Sequence, residues 1–481
     1  MNNKHIQLDF NFCRPLDFQK NLNINFSKNF SELEVFNNKD KPDLIYKHLK
    51  FLIIELFSCW SESNEQFLSV SMSKRGYKAK SRYNPNMISS VSIDAINYLK
   101  DKKLIVFYPG FFDAKRNIRR LTRIRASEKL IDFFKSYEFN DYEILNNKKR
   151  ENLFLLDTTF KPMEYKDDFN TYEMREILKN YNALMLKTFF DIPCVNERYI
   201  TRGDRAKIPI SNLCVLQSRS FNNDWKNGGD FIGSWWDKLD IVSLNRLSNH
   251  MLINDSETSY IDLANLFPLV ISKKISESYR EFNIEEFKKK GSFINSLDQL
   301  NYILIKGLSS KNLSGLYRSF INDKGKLGID LKITKPFFNS SIQILKENYK
   351  TIYKNFYSNT EINWNSFISE VFYQFLKNSG ASNIPVIKIR DKLFYQTKFE
   401  ENVISNVKKS LIKILNSDKF QLVTKKCYSY EFGGKSSIFN SLVRNKLKYS
   451  ERFKKNKKNF INLMSKNNIP IFQSIQNLKG P

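Results

Sequence analysis

Two aspartates, Asp262 and Asp391, are the residues of this sequence whose type and setting best suit chemistry. Each lies in an otherwise apolar, strand-like run, over residues 260–268 and 384–395. If the two strands are neighbours that face a basic cleft, their carboxylates can hold two divalent cations about 3.5–4 Å apart, as nucleotidyl transfer requires. A single aspartate near a strand end is also a common turn former or helix cap. On the residues alone, both interpretations stay open.

The elements that must position these aspartates follow from the spacing of apolar residues. A turn is expected at 254–255 before the first strand, and a helix over about 264–276 after it. Helices over about 340–357 and 364–378 lead to the second strand, and an amphipathic helix begins at 403. These segments predict an α+β fold that has an antiparallel sheet with mostly helical surroundings.

The charge balance favours a polyanionic partner. The 481 residues include 78 Lys and Arg against 50 Asp and Glu, which gives a formal net charge of +28. Because this excess is spread along the whole chain, nucleic acid, with DNA first, is the leading partner, and an anionic membrane surface is the rival. The abundance of Lys, Asn, Ile and Phe is typical of an AT-rich genome, which inflates the lysine count.

Other chemistries have little support in the sequence. The five cysteines are scattered and the three histidines are isolated, which argues against a zinc site, a redox motif or a Ser-His-Asp mechanism. A metal site must therefore use oxygen ligands, and Mg²⁺ is the expected ion. No apolar run reaches the ~20 residues that a membrane span needs, and the start lacks a signal-peptide core. We expect a cytoplasmic protein without a membrane span.

Residues 40–140 have the element order of a winged helix-turn-helix module. Apolar spacing predicts helices over 43–60 and 87–101, followed by a strand over 104–108 and a turn at Pro109 and Gly110. A basic return stretch over 115–125 then leads into a helix near Ser127. In such a module the helix before the hairpin can enter the major groove while the wing contacts phosphate or the minor groove.

Arginines are concentrated in the predicted wing. The expected phosphate contacts are Arg116, Arg119, Arg120, Arg123 and Arg125, preceded by a basic loop with Lys74, Arg75, Lys78, Lys80 and Arg82. Winged helices also serve as protein-docking modules, and a run of charges is often only a solvated face. Five arginines in ten residues favour DNA contact over those alternatives.

A second basic run lies near the C-terminus. Its cations are Arg444, Lys446, Lys448, Arg452, Lys454, Lys455, Lys457 and Lys458, with Tyr449 and Phe453 interleaved. Cations with interleaved aromatic residues suit a phosphate backbone with occasional base stacking, which assigns Arg444, Lys446 and Arg452 to DNA binding. A solvated helix in a lysine-rich protein is the alternative.

Residues 216–236 are dense in glycine and tryptophan. They predict a tight turn packed under aromatic side chains, and a phosphate loop is the weaker alternative because no helix follows directly. This segment contains Arg-x-Phe-Asn and Gly-Gly-x-Phe-x-Gly-x-Trp-Trp. Further along come Arg246, then Asp-x-x-x-Leu-x-Pro beginning at Asp262, and finally the strand that leads to Asp391.

In this order the motifs resemble a group of bacterial, phage and plasmid proteins whose palm is related to family A DNA polymerases and phage single-subunit RNA polymerases. The resemblance covers about residues 200–415. It implies that Asp262 and Asp391 are catalytic and bind two Mg²⁺ ions. It also implies that Lys306 and Lys311, as displaced substitutes for the cations of the fingers helix, bind the incoming nucleoside triphosphate.

Several residues depart from the family pattern. Arg390-Asp391-Lys392 stands where relatives have a His-Asp pair followed by a small polar or acidic residue, and Asp230 stands where an arginine is common. Two functions are therefore expected. The first is a template-directed nucleotidyltransferase in the replication system of a plasmid, phage or mobile element. The alternative is a non-catalytic DNA-binding initiator or regulator that keeps a degenerate palm.

The sequence thus predicts five segments along the chain. They are an N-terminal extension over 1–40, a winged-helix-like DNA-binding domain over 41–140, a helical linker region over 141–200, a polymerase-like palm and fingers domain over 201–415, and a basic C-terminal region over 416–481.

Overall fold

The computed structural model of the protein describes residues 8–23, 43–137, 139–226, 228–274, 284–329, 332–358, 363–380, 383–418, 420–427 and 450–470. Helices and strands are intermixed along these residues, and the strands form several small sheets. This arrangement confirms the predicted α+β class. No helix in these ranges is long and apolar enough to cross a membrane.

The strands of the described residues are short. They are β1 (Cys13–Pro15), β2 (Phe67–Val70), β3 (Ile105–Tyr108), β4 (Phe111–Asp113), β5 (Ile118–Arg120), β6 (Thr122–Ala126), β7 (Leu153–Leu156), β8 (Phe190–Asp191), β9 (Tyr199–Thr201), β10 (Lys207–Pro209), β11 (Ser218–Asn222), β12 (Gly228–Ile232), β13 (Leu252–Ile253), β14 (Thr258–Asp262), β15 (Val386–Ile389), β16 (Lys392–Gln396) and β17 (Val423–Lys426).

The α-helices of the same ranges vary from one turn to more than five. They are α1 (Asp43–Glu62), α2 (Val91–Asp101), α3 (Glu128–Ser136), α4 (Asp141–Leu145), α5 (Phe169–Met185), α6 (Ile241–Leu247), α7 (Phe267–Lys274), α8 (Ile284–Lys289), α9 (Leu297–Ser309), α10 (Leu313–Asp323), α11 (Lys335–Asn348), α12 (Lys350–Lys354), α13 (Trp364–Ser379), α14 (Glu400–Leu415) and α15 (Glu451–Lys466).

The first four-stranded sheet has the order β1-β2-β6-β3, and only its β1–β2 pair is parallel. One face of α1 covers it, since Leu49, Leu52 and Leu56 recur at helical spacing and are buried. The Ser127 hydroxyl accepts a hydrogen bond from the Leu130 N–H and caps α3. The β4–β5 hairpin projects beyond this sheet.

The hairpin is longer than the sequence predicts. Its turn lies at residues 114–117, whereas Pro109 and Gly110 only interrupt the strand between β3 and β4. The Gly110 N–H donates to the Thr122 hydroxyl, and a Cβ on Gly110 would lie 2.5 Å from the Arg120 carbonyl oxygen. This glycine therefore permits a close approach of two strands and does not make the turn.

The glycine- and tryptophan-rich segment forms the antiparallel β11–β12 hairpin, with β7 parallel on its other side. Arg219 of β11 is buried; it donates to the Gly229 carbonyl at 3.0 Å and pairs with Glu370 at 3.0 Å. A Cβ on Gly229 would lie 2.4 Å from the Arg219 guanidinium, so the glycine makes room for this ion pair. Trp235 and Trp236 are buried.

The second four-stranded sheet has the order β15-β16-β14-β17 and is antiparallel throughout. Every residue of its two inner strands is buried, and Ile261, Leu393 and Phe394 are fully buried. The helices α13 and α14 pack together, and α14 also contacts β16. The sheet places the end of β14 beside the start of β16.

Both chain ends contribute to packed structure. At the N-terminal end β1 joins the first sheet, and the buried Lys20 ammonium pairs with Glu55 of α1 at 2.8 Å. At the C-terminal end β17 joins the second sheet, and Phe453 and Phe460 of α15 pack against Phe189. Described parts of the predicted N-terminal extension and of the predicted basic C-terminal region thus pack against the rest of the protein.

Candidate functional site

The two aspartates lie side by side at one edge of the second sheet. Asp262 ends β14, and Asp391 is the second residue of the tight connection between β15 and β16. The Leu263 N–H donates to the Asp391 carbonyl at 2.9 Å, which ties the two strand ends together. Both carboxylate side chains are about nine-tenths buried. The structure thus brings together two residues that are 129 positions apart in sequence (391 − 262).

A lysine ammonium lies between the two carboxylates. Lys392 begins β16 opposite Asp262, and its Nζ lies 3.3 Å from Asp391 Oδ1 and 3.5 Å from Asp262 Oδ2. Burial favours the neutral amine, yet Asp391 and Asp262 outweigh it and raise the pKa of Lys392 above its ordinary value. Lys392 therefore remains a cation at neutral pH.

A second lysine approaches the same pair from the edge strand. Lys425 of β17 places its Nζ 3.4 Å from Asp262 Oδ2, but its side chain is half exposed. For Asp391, burial alone would raise the carboxyl pKa, but Lys392 and then Arg390 lower it below its ordinary value. Asp391 therefore stays ionised, and lysine ammoniums balance the charge of the two aspartates.

A third carboxylate faces this cluster from α9. The pKa of Asp298 is raised to about 6, mainly because the carboxyl group is buried and secondly because Asp391 repels its negative charge. Asp298 and Asp391 line an open cavity of about 220 Å³ together with Tyr302, Trp364 and Arg390. Arg390 occupies the left-handed region (φ 55°), a conformation that non-glycine residues rarely adopt.

The arrangement does not fit the expected magnesium ions. Mg²⁺ requires carboxylate oxygens free to coordinate in an octahedron, whereas the Lys392 ammonium contacts both Asp262 and Asp391. A metal ion at the same oxygens would meet a buried like charge. Within the described ranges, no group of three or more His, Cys, Asp or Glu side chains could hold a metal ion.

The lysines predicted to bind a triphosphate lie elsewhere. Lys306 and Lys311 line a different open pocket, of about 500 Å³, at the connection of α9 and α10 beside Arg318. The part of α9 that faces the aspartate cavity instead contributes Asp298 and Tyr302. The two lysines and the two aspartates therefore do not line one cavity, and triphosphate binding stays a prediction.

The wing arginines divide into two groups. Arg116 and Arg119 are exposed on the β4–β5 hairpin. The other three contact their own domain: Arg120 lies 4.1 Å from the Phe10 ring centre, Arg123 donates to Ser69 Oγ at 2.8 Å, and Arg125 lies 5.5 Å from the Phe67 ring centre. Of the five, only Arg116 and Arg119 are exposed, and Arg116 lies 4.0 Å from the Asp113 carboxylate.

Further exposed cations lie on the loop after β2, which begins beside the hairpin. Val70 pairs with Thr122, so the loop after β2 starts where the hairpin projects. Arg82 of this loop pairs with Asp167 at 3.2 Å and stacks on Tyr165. We call the exposed cations of the loop and the hairpin the basic end; they are Lys74, Arg75, Lys78, Lys80, Lys115, Arg116 and Arg119.

The helix expected to enter the major groove has a mixed surface. The exposed residues of α2 include Asp94, Asn97, Lys100 and Asp101. Two acidic side chains on this face oppose the approach of phosphates. The basic end is therefore the more cationic surface of this region.

The C-terminal run is partly engaged inside the protein. Arg452 is buried, and its guanidinium donates to both carboxylate oxygens of Asp191 at 2.7 and 2.9 Å. Lys457 pairs with the buried Asp255 at 2.6 Å. Arg452 therefore holds α15 to Asp191, and its charge does not face solvent. Arg444 and Lys446 lie outside the described residues.

Sequence reasoning missed Asp298 as a member of the aspartate cluster. Its position after the capping Ser296 is typical of an acidic residue in the first turn of a helix, which stabilises the helix dipole without any further role. Lys392, in contrast, is singled out by the sequence as a departure from the family pattern directly after Asp391, although its contact with Asp262 depends on the strand register.

The comparisons with known proteins do not show a family for this chain. No family model matches the chain. The chain is similar to Protein Ycf2 of Physcomitrium patens, with 28% identity over 229 residues. That alignment covers 46% of this chain but 9% of the relative. The chain thus corresponds to a small part of that protein's length, and the likeness does not show family membership.

Proposed function

We propose that this chain is a non-catalytic DNA-binding protein, a replication initiator or regulator of a plasmid, phage or mobile element, that keeps a polymerase-like palm as a scaffold. The observation that carries the proposal is the Lys392 ammonium between Asp262 and Asp391. It occupies the position in which polymerisation needs divalent cations.

The chemistry of an ammonium explains why this position matters. Two metal ions in a polymerase centre coordinate the attacking hydroxyl, lower its pKa and neutralise the leaving pyrophosphate. The single charge of Lys392 is held by two carboxylates, and an ammonium has no vacant coordination position for a hydroxyl. It can stabilise the sheet edge, but it cannot perform the metal's part of the reaction.

The basic end supports DNA as the partner. Seven exposed cations lie on one hairpin and on one loop that begins beside it, where Val70 pairs with Thr122. When such cations neutralise DNA phosphates, counterions are released from the DNA. This release strengthens binding, and the affinity for DNA falls steeply as the salt concentration rises. The order of α1, α2, the β3–β6 pair with its projecting hairpin, and α3 is also the order of a winged-helix module.

DNA binding is tested by fluorescence anisotropy of a labelled duplex with the full chain at increasing salt. We expect tight binding near 50 mM salt and a loss of about 10²-fold or more by 200 mM, because several phosphates are neutralised. An absence of binding at the lowest salt would contradict the proposal.

The catalytic alternative rests on the adjacency of Asp262 and Asp391. Primer extension with labelled nucleotides in Mg²⁺ or Mn²⁺ separates the two functions, using the parent, Asp262→Asn and Asp391→Asn. We expect no incorporation by any of the three proteins. Incorporation by the parent that both substitutions abolish would establish a template-directed nucleotidyltransferase instead.

A further inference from the structure

The projecting hairpin exposes large apolar side chains. Phe112 is 67% exposed, Leu121 54%, Ile118 50% and Phe111 48%. Most large apolar residues of the described chain are buried, so four exposed ones within eleven residues (111–121) form a cluster that the protein's own core does not explain.

The strand register divides these residues between the two faces of the hairpin. Phe112 pairs with Arg119, and Leu121 lies two residues beyond Arg119, so all three share one face. Phe111 and Ile118 lie on the other face, where Arg120 is 5.0 Å from the Phe111 ring centre. The face of Phe112 and Leu121 is the more exposed one.

The charges around this face indicate what covers it. Lys115, Arg116 and Arg119 are exposed on the same hairpin, next to the loop cations of the basic end. A second copy of this chain carries the same positive charge and would be repelled at this end. A nucleic-acid duplex is complementary to it, because its phosphates lie outside and its base steps offer an apolar interior.

We propose that Phe112, supported by Leu121, is a wedge that inserts between base pairs of duplex DNA and unstacks them. The inference rests on the proposed DNA-binding function and adds how the bound duplex is deformed. Arg116 and Arg119 neutralise the flanking phosphates, and the narrow two-stranded hairpin brings Phe112 into the minor groove. Insertion of an apolar side chain at a base step kinks the duplex and is easiest at flexible pyrimidine–purine steps.

The test uses the full chain and an AT-rich duplex of about 30 base pairs. Energy transfer between fluorophores at the two duplex ends measures bending, and permanganate, which oxidises unstacked thymines, measures unstacking. At saturation, the parent is expected to raise energy transfer and thymine reactivity. Phe112→Ala should lose most of both signals and weaken binding up to about tenfold. Phe112→Trp should keep both signals.

Two further variants give the controls. Arg119→Ala should weaken binding and reduce its salt dependence but keep thymine reactivity at saturation. Phe169→Ala removes an even more exposed phenylalanine, 80% exposed at the start of α5, and should change neither binding nor deformation. Because Phe112 contacts solvent, thermal unfolding should be the same for Phe112→Ala and the parent.

The outcomes that overturn the wedge differ from those that overturn DNA binding. Salt-dependent binding with an undistorted duplex, or equal thymine reactivity with the parent and Phe112→Ala, overturns the wedge alone. A dimer in sedimentation that Phe112→Ala dissociates also overturns it, because the face then binds a second copy. A parent that binds no DNA overturns the proposed function together with the wedge.

Discussion

The cations of the two four-stranded sheets differ in exposure and pairing. At the end of the first sheet, the lysines and arginines of the basic end extend into solvent. At the edge of the second sheet, Lys392 is buried between Asp262 and Asp391. The net charge of +28 therefore does not locate a binding surface. Exposure and pairing separate cations that are available to a polyanion from cations that hold the fold.

The same distinction applies within single stretches of sequence. In the wing, Arg119 is exposed whereas Arg123 donates to Ser69. In the C-terminal run, Lys455 is exposed whereas Arg452 is buried against Asp191. Residues that look equivalent in a basic run thus have different roles, and substitutions can separate them.

Removing the buried cation of the second sheet should have the largest effect. Lys392→Met leaves the mostly buried Asp391 without an ammonium partner and Asp262 with only the half-exposed Lys425, so the free energy of unfolding should fall by about 3–5 kcal/mol. Urea unfolding at pH 7 measures it. Lys425→Met is the matched control, since it contacts the same carboxylate from a half-exposed position and should lower stability by at most about 1 kcal/mol.

If Lys392→Met destabilises no more than Lys425→Met, the ammonium does not hold the sheet edge. A triple variant sharpens the test. Asp262→Asn, Asp391→Asn and Lys392→Met together remove both the carboxylate charges and the ammonium, and this protein should recover much of the lost stability because no buried charge is left unpaired.

The buried arginine of α15 should come next. Arg452→Met leaves the buried Asp191 without its bidentate partner, and we expect a loss of about 3 kcal/mol in unfolding free energy. In limited proteolysis, Arg452→Met should also be cleaved near α15 sooner than the parent. Lys455→Met, exposed on the same helix, should stay within about 0.5 kcal/mol of the parent. Equal stability of the two variants would show that Arg452 belongs with the exposed cations.

Substitutions at the basic end should change DNA affinity without changing stability. Lys74→Ala and Arg119→Ala should each lower the slope of log affinity against log salt by about one unit if each side chain neutralises one phosphate. Anisotropy titrations over a salt series measure the slope. Lys179→Ala removes an exposed cation of α5 outside the basic end and serves as the control. Equal losses for all three variants would show that binding is diffuse.

The smallest effect is expected from the third carboxylate of the cluster. The pKa of Asp298 is raised to about 6 in the folded protein, so the folded state binds its proton more tightly than the unfolded state. Its contribution to stability is therefore present below about pH 4 and is lost as the pH rises to about 6.

Asp298→Asn should remove this pH dependence. Thermal melts of the variant and the parent measure this. The difference in unfolding free energy, variant minus parent, should increase by on the order of 1 kcal/mol between pH 5 and pH 7.5. Asp94→Asn, on the exposed face of α2, controls for the loss of a negative charge. A variant whose advantage over the parent shrinks as the pH rises would contradict a raised pKa at Asp298.

Much of the local structure could be predicted from the sequence, because it depends on neighbours in the chain. Apolar spacing located α1 and α2, whereas the apolar run over 384–395 predicted one strand and is instead the β15–β16 hairpin with Asp391 in its turn. The adjacency of Asp262 and Asp391 needed the family resemblance, since no local pattern joins residues so far apart. The resemblance could not show that Lys392 bridges them, because that contact depends on the register of β14 and β16.

The partners of the remaining cations lay beyond prediction for the same reason. Arg452 is 261 residues from Asp191, so a basic run gives no sign that one member is buried. The hairpin turn was misplaced because Pro109 and Gly110 are typical turn residues, whereas Gly110 serves a close contact with Arg120.

The proposed function requires that the Lys392 ammonium stands at Asp262 and Asp391 in place of metal ions. Electron paramagnetic resonance of Mn²⁺ titrated into the full chain, compared with the Asp262→Asn/Asp391→Asn double variant, tests it most directly. We predict that both proteins bind the same small amount of Mn²⁺. One or two tightly bound Mn²⁺ ions per parent chain that are lost in the double variant would contradict the claim.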